Sequence, residues 1–292
     1  MLKNKNINQE IQKIIEFIKS NINKNQKVVI GISGGLDSDV VARLVTLAIG
    51  KDRVKLYTII QDDMEKSHLK NAKSLAKDLD INLTIINLKK IPYKIIKQLQ
   101  KSDKENSFNK NSFLDIGRTK VALRTVINSI YQDRGYKIIG TSNKTEIELG
   151  FFLPFGDGLA HIKPIAHLYK SDIFKIAKEL KTKKQVLKQK PSAGLWKDEN
   201  DLEDISYWIY NQAPIQIKRD FTDSELKKVQ KIYKELTIKK IDKALFMISN
   251  KEKISKIVLK SKLSKDTIKR LKRLVKNSKK LKLQPIGVSV DR

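Results

Sequence analysis

Apolar residues recur along this chain with two alternating periods. Ile7, Ile11, Ile14, Ile15, Ile18 and Ile22 fall at helical spacing, which predicts an amphipathic opening helix. The β-branched run at 27–33, KVVIGIS, ends in Gly34 and Gly35, after which Val40, Val41, Leu44, Val45 and Ala48 mark a helix. The alternation repeats with a strand at 54–60, a helix carrying Leu69, Ala72, Leu75, Ala76 and Leu79, and a strand at 82–88. One further helix leads to an apolar strand at 136–140. Strands that are almost continuously apolar and alternate with helices imply a parallel sheet covered on both faces, a doubly wound α/β fold. Beyond about residue 170 the strand signals cease. Helices are predicted at about 171–180, 199–212, 223–235, 238–248 and 264–276, the last with Ser264 as N-cap. No Gly/Ser/Pro-rich linker interrupts the chain, so a helical, Lys-rich C-terminal region at 197–292 is expected to pack on an α/β domain at 1–196.

Charge sharpens this picture less than its size suggests. The 292 residues carry 61 Lys and Arg against 32 Asp and Glu, a formal net charge of +29. Lysines are spread along the whole length beside Ile and Asn, and residues 250–292 are the most basic part. Diffuse charge of this kind reads as solvated surface, so a nucleic-acid partner is not expected. The positive field would still favour small polyanionic substrates such as nucleotides. With no cysteine, a disulfide framework, a thiolate metal site and a thiol nucleophile are all excluded. No apolar run approaches the roughly 18 residues that cross a bilayer, and the first residues lack the pattern of a secretory signal. A cytoplasmic protein with no membrane contact is expected.

The densest chemistry lies at Ser33-Gly34-Gly35-Leu36-Asp37-Ser38, between a predicted strand and a predicted helix. In an open parallel sheet that is where ligands bind. Glycines let backbone amides approach a phosphate, the hydroxyls of Ser33 and Ser38 add donors, and a helix N-terminus adds positive potential. Asp37 suits a Mg²⁺ ligand.

The segment SGGLDS resembles the pyrophosphate-binding loop of the ATP pyrophosphatase superfamily, whose members release pyrophosphate from ATP. Within it, three later blocks resemble the ammonia-dependent NAD synthetases: Gly140-Thr141-Ser142-Asn143-Lys144-Thr145-Glu146; Gly156-Asp157-Gly158 with Pro164-Ile165 and Leu168-Tyr169-Lys170; and Lys190-Pro191-Ser192-Ala193-Gly194-Leu195-Trp196. The resemblance covers roughly residues 27–196, with an echo at Asn277-Ser278-Lys279-Lys280. It implies an adenine nucleotide α-hydrolase-like sheet. ATP would be bound by Ser33, Gly34, Gly35, Asp37, Ser38, Thr141, Lys170 and Ser192. Asp37 and Glu146 would hold Mg²⁺, with Asp37 and Lys170 as the catalytic pair, and Arg118, His161, Lys279 and Lys280 would meet the second substrate. The implied reaction joins deamido-NAD and ammonia at the expense of ATP through an acyl adenylate, releasing AMP and pyrophosphate, in a homodimer. Without a cysteine for glutamine hydrolysis, the nitrogen would come as free ammonia or from a partner subunit.

The sequence departs from this pattern in the half facing the second substrate. Leu153-Pro154 stand where the family has Thr-Lys, His161 where it has a substrate-binding aspartate, and Lys279 where it has a tail histidine. The Gly117-Arg118-Thr119-Lys120-Val121 segment sits about three residues upstream of the family's arginine block. Two alternatives therefore stand beside NAD synthesis: a paralogue amidating a different carboxylic acid, and a tRNA-modifying ligase of the lysidine synthetase type.

Overall fold

The computed structural model describes residues 7–190, 200–214 and 221–279. Four parallel strands, β1 (Val28–Gly31), β2 (Val54–Ile60), β3 (Leu83–Asn87) and β4 (Lys137–Ile139), lie in the order β3-β2-β1-β4. The chain moves outward from β1 to β3, then returns to place β4 on the other side of β1. That reversal opens a crevice at the carboxyl ends of β1 and β4.

Alternation along each strand explains why both faces are covered. Val28 and Ile30, Leu56 and Ile139 enter one large apolar cluster, whereas Val29, Tyr57 and Ile138 enter another on the opposite face. The first cluster is completed by α1 (Ile7–Asn21), α2 (Leu36–Ile49), α3 (Lys66–Leu79) and α7 (Lys170–Glu179). The second is covered by Ile127 and Tyr131 of α5 (Phe113–Gln132), against which α4 (Ile91–Ser102) also packs. The single helix expected between the last two strands is thus two, with an intervening loop in which Asp103 accepts from the Asn106 amide. Two short helices, α6 (Lys144–Leu149) and α8 (Lys184–Lys188), complete the α/β half.

The C-terminal helices are α9 (Asp201–Asn211), α10 (Asp223–Glu235), α11 (Ile238–Ser249), α12 (Ile254–Ser261) and α13 (Lys265–Ser278). Four of them follow the sequence pattern, and Ser264 caps α13 by accepting from Thr267 N. The fifth, α12, spans only two turns and gave no separate signal. Their apolar cluster centres on Ile241, Leu245, Ile268 and Leu271, and it also takes in Leu149 of α6 and Tyr169 just before α7. Among the described residues no helix is long and apolar enough to cross a membrane.

One buried carboxylate locks the first helix after the glycine turn in place. Asp39 accepts from Arg43 Nε and from Thr182 Oγ1, each at 2.7 Å, while Arg43 also reaches Asp78 of α3. Asp39, the residue that follows the Ser33–Ser38 motif, is therefore a structural tie between α2, α3 and the turn after α7. Breaking a buried ion pair from one side strands the remaining charge, at a cost of about 3 kcal/mol or more. Asp39→Ala is expected to lower the stability seen in urea titration by that order, and a change within about 0.5 kcal/mol contradicts this role.

Candidate active site

The Ser33–Ser38 turn is held from beneath by α3. Gly34 adopts φ +81°, and a Cβ at this position would lie 2.1 Å from the His68 carbonyl oxygen, so only glycine fits. Inside the turn, Ser38 Oγ donates to the Gly35 carbonyl at 3.0 Å, and Gly35 N donates to Ser33 Oγ at 3.2 Å. Both serine hydroxyls thus shape the loop as well as facing the cleft. The amides of Leu36, Asp37 and Ser38 form the first turn of α2 and have no acceptor within their own helix, which makes the turn a receptor for anions.

A second layer supports this turn. His68 Nδ1 lies 3.0 Å from the Ser33 carbonyl, an acceptor only, so that nitrogen carries the proton and Nε2 accepts from Gln189 Nε2 at 2.8 Å. Asn71 donates to the Gly34 carbonyl and to Gln189 Oε1. These side chains link the phosphate turn to the end of α8. Their role was missed from sequence, because His68 and Asn71 lie on the buried face of an otherwise unremarkable helix and matter only through backbone carbonyls far away in the chain.

Across the crevice, β4 delivers Thr141 and Glu146. Asn143 caps α6 in a reciprocal capping box with Glu146, as the S/T/N-x-x-E pattern in Asn143-Lys144-Thr145-Glu146 allows. The same Asn143 amide donates to Glu146 Oε1 at 2.7 Å and points toward Asp37 Oδ2 at 3.5 Å. Lys170, at the first position of α7, forms an ion pair with Asp37. One lysine and two carboxylates drawn from three distant parts of the sequence therefore meet at the mouth of the cleft.

Their electrostatics follow from burial. Desolvation, then the charge of Asp37, pushes Glu146 well above the ordinary carboxylate range. Burial alone would lower Lys170, but Asp37 and Glu146 more than offset it, so its pKa is raised and the ammonium persists at neutral pH. Asp37 Oδ1 is buried with no hydrogen-bond partner. An orphaned carboxylate oxygen beside a second carboxylate is a donor set that fits a hard divalent cation, which would also reverse the bias toward a protonated Glu146.

The remaining expected residues separate into two groups. Ser33, Gly35, Asp37, Ser38, Thr141, Glu146 and Lys170 line one cleft, and Gly34 forms its turn. Arg118, His161 and Lys279 do not line it. His161 Nδ1 accepts from the Ile138 amide at 3.0 Å, so its ring finishes the outer edge of β4. Arg118 lies in α5 with its pKa lowered by burial, and Lys279 is an exposed residue after α13 whose charge acts on Glu148. Ser192 and Lys280 lie outside the described residues. In place of Arg118, α5 presents Arg124 and Asn128 to the cleft. Asn128 accepts from the Tyr57 hydroxyl at 2.8 Å, and burial pushes that phenol up to about 12, so it remains a donor. The polar residues Lys120, Arg124 and Asn128 recur every four positions, a signal on one helical face that motif matching passed over. Asp157 and Asp201 also line the cleft.

Known proteins resemble this chain in sequence and in fold. The sequence model of the family described as NAD synthase matches residues 10–213. The NH3-dependent NAD+ synthetase of Pyrococcus furiosus is 30% identical over 289 residues, covering 98% of this chain and 96% of its own length. Among solved structures, the NMN synthetase of Francisella tularensis superposes with a TM-score of 0.70 at 23% identity, covering 98% of this chain and 99% of its own. The NH3-dependent NAD synthetase of Campylobacter jejuni superposes with a TM-score of 0.67 at 23% identity, covering 99% and 100%. At that identity the two structures show a shared fold.

The two turn glycines are expected to differ sharply. Gly34→Ala must move either the turn or the start of α3, whereas a Cβ at Gly35 meets only Ser33 Oγ at 3.3 Å. By calorimetric titration, ATP affinity is expected to fall at least about tenfold, or about 1.4 kcal/mol, for Gly34→Ala and far less for Gly35→Ala. Equal losses would show that the backbone contact to His68 does not set the turn.

Proposed function

The chain belongs to the NAD synthase family, and from that premise we propose that it is an ammonia-dependent, AMP-forming ligase converting deamido-NAD to NAD. The observation that carries this reading is the meeting of Asp37, Glu146 and Lys170 beside the glycine turn, at the reversal point of the sheet. Such a site needs to bind a triphosphate, neutralise charge and exclude bulk water. It needs no nucleophile of its own.

In this reading the Ser33–Ser38 turn and the first amides of α2 receive the phosphate chain of ATP. Asp37 and Glu146 would hold Mg²⁺, which neutralises phosphate charge when bound. Lys170 leaves Asp37 for the phosphates and stabilises negative charge on the departing pyrophosphate. The substrate carboxylate attacks the α-phosphorus, giving an acyl adenylate, and ammonia then displaces AMP to form the amide. Thr141 faces the nucleotide from the end of β4, and Arg124 takes the substrate-binding role that the resemblance gave to Arg118.

Placement of the divergent residues supports deamido-NAD over a different acid. Neither Pro154 nor His161 lines the cleft, and His161 serves the backbone of β4. The walls of the described cleft are therefore built without these two residues. No feature of the described residues favours the tRNA-modifying alternative. The homodimer is supported by exposed apolar side chains on α4 and α5, namely Ile95, Leu99, Val126 and Ile130.

AMP release is expected to require Mg²⁺, ATP, ammonia and deamido-NAD together, with NAD as the co-product by chromatography. Asp37→Asn and Glu146→Gln are each expected to reduce turnover by on the order of 10²-fold or more, since each removes charge matched to the transition state. A wild-type rate without deamido-NAD, or near-normal turnover in both variants, overturns the assignment.

Sedimentation is expected to show a species of twice the 33.6 kDa chain mass. A monomer at micromolar concentration contradicts the homodimer.

A further inference from the structure

Asp242 lies in α11, beyond the residues that the family model matches, and it is fully buried. Its carboxylate touches the two helices that carry Glu146 and Lys170. Oδ1 accepts from Thr145 Oγ1 at 2.6 Å, and Oδ2 accepts from Ser171 N at 2.7 Å. Thr145 immediately precedes Glu146 in α6, and Ser171 immediately follows Lys170 at the start of α7. The two contacts are themselves joined, because Lys170 N donates to Thr145 Oγ1 at 3.0 Å.

The direction of this chain of bonds is fixed by its ends. Lys170 N–H can only donate and the carboxylate can only accept, so the single Thr145 proton must point to Asp242. The α7 helix also lacks a local cap: Tyr169 occupies the N-cap position and makes no side-chain bond there. Its first two amides are satisfied by Thr145 and Asp242 instead. A negative charge at a helix start is favourable, and both bonds to it are charge-assisted.

We propose that Asp242 is a positioning residue for the reaction, supplied by the helical region, which fixes the α6 start bearing Glu146 relative to the α7 start bearing Lys170. This rests on the reading of Glu146 and Lys170 given above. Burial raises the pKa of Asp242, so the carboxylate is costly to keep in this interior. An apolar residue would fill the space at less cost but would leave the amide of Ser171 and the hydroxyl of Thr145 without an acceptor. The helical region thereby acts on the chemistry without lending a group that touches substrate through this residue.

The test compares kcat and the KM for ATP in AMP release, at a temperature where circular dichroism shows each variant folded. Asp242→Asn offers one acceptor where two are needed, and is expected to lower kcat about 100-fold, the scale of a misplacement near 1 Å, with KM within about threefold. Thr145→Val, of the same shape but without the hydroxyl, is expected to show the same split, and Thr145→Ser to restore most of the loss. Ile257→Ala, a cavity in the same helical cluster, serves as the stability control and is expected to lower the melting temperature while leaving kcat per folded molecule unchanged. The proposal fails if Asp242→Asn loses no more kcat than Ile257→Ala, or if Thr145→Val retains the wild-type kcat. The Thr145 pair decides the question alone should Asp242→Asn not fold. Lys170→Met, measured alongside, separates the two levels: full activity there overturns the site reading itself, whereas an inactive Lys170→Met with an active Asp242→Asn overturns only the positioning role.

Discussion

The structure depends on placing one ammonium and two carboxylates together in a cleft with little water around them. Each of the three groups is expensive to desolvate alone. Lys170 against Asp37 relieves the first part of that cost, and Asn143, donating to Glu146, relieves the second. The relief is incomplete: Glu146 is driven toward its protonated form and one oxygen of Asp37 has no partner. A site built only for stability would close these gaps with further donors. Leaving them open suits a cleft that receives additional charge from its ligands.

Holding that arrangement requires rigid elements, and the fold provides three helix starts. The starts of α2, α6 and α7 carry Asp37, Glu146 and Lys170 respectively. Each is secured by neighbouring groups, joined at α6 by Glu146 itself through the reciprocal capping box with Asn143. Residues two apart on a helix point roughly 200° away from each other, so Asp39 faces back into the body while Asp37 faces the cleft. Arg43 and Thr182 hold Asp39, Asn143 caps α6, and Asp242 and Thr145 complete α7. Support and chemistry are thus assigned to neighbouring residues of the same short motifs, which is how a rigid wall can end in groups that are free to change partners.

Legibility in the sequence follows the same division. The strands were readable because β1 and β2 are nearly continuous apolar runs between turn residues, and α1 and α13 because their apolar stripes are long. The intervals around α6, α8 and α12 were not, since five to eight residues give too few periods to separate a helix from a turn. Within the site, Ser33–Ser38, Thr141, Glu146 and Lys170 were readable as motifs, and the structure brings them to one cleft. Arg118 and His161 stand near positions where the family pattern has substrate-binding residues, but the cleft is lined by Arg124, and His161 accepts from the Ile138 amide at the edge of β4. His68, Asn71 and Asp242 left no trace in sequence because their partners, backbone groups and side chains distant in the sequence, are brought near only by the folded chain.

The Lys170–Asp37 contact also limits self-repulsion between the carboxylates of the cleft. The lysine neutralises a carboxylate that would otherwise face Glu146 unscreened, and in the interior such a bond is stronger than on the surface. In the proposed reading, phosphate oxygens would offer the ammonium more negative charge than Asp37 does, which favours the exchange of partners. With Lys170 turned to phosphate in this way, both oxygens of Asp37 would be open to a cation, which would offset the loss of its ion pair within the same cleft. The exchange moves only side-chain atoms, because the α7 start is held from behind by Thr145 and Asp242. Binding energy of the triphosphate is then available for charge neutralisation at the reacting centre rather than for assembling the wall that carries it.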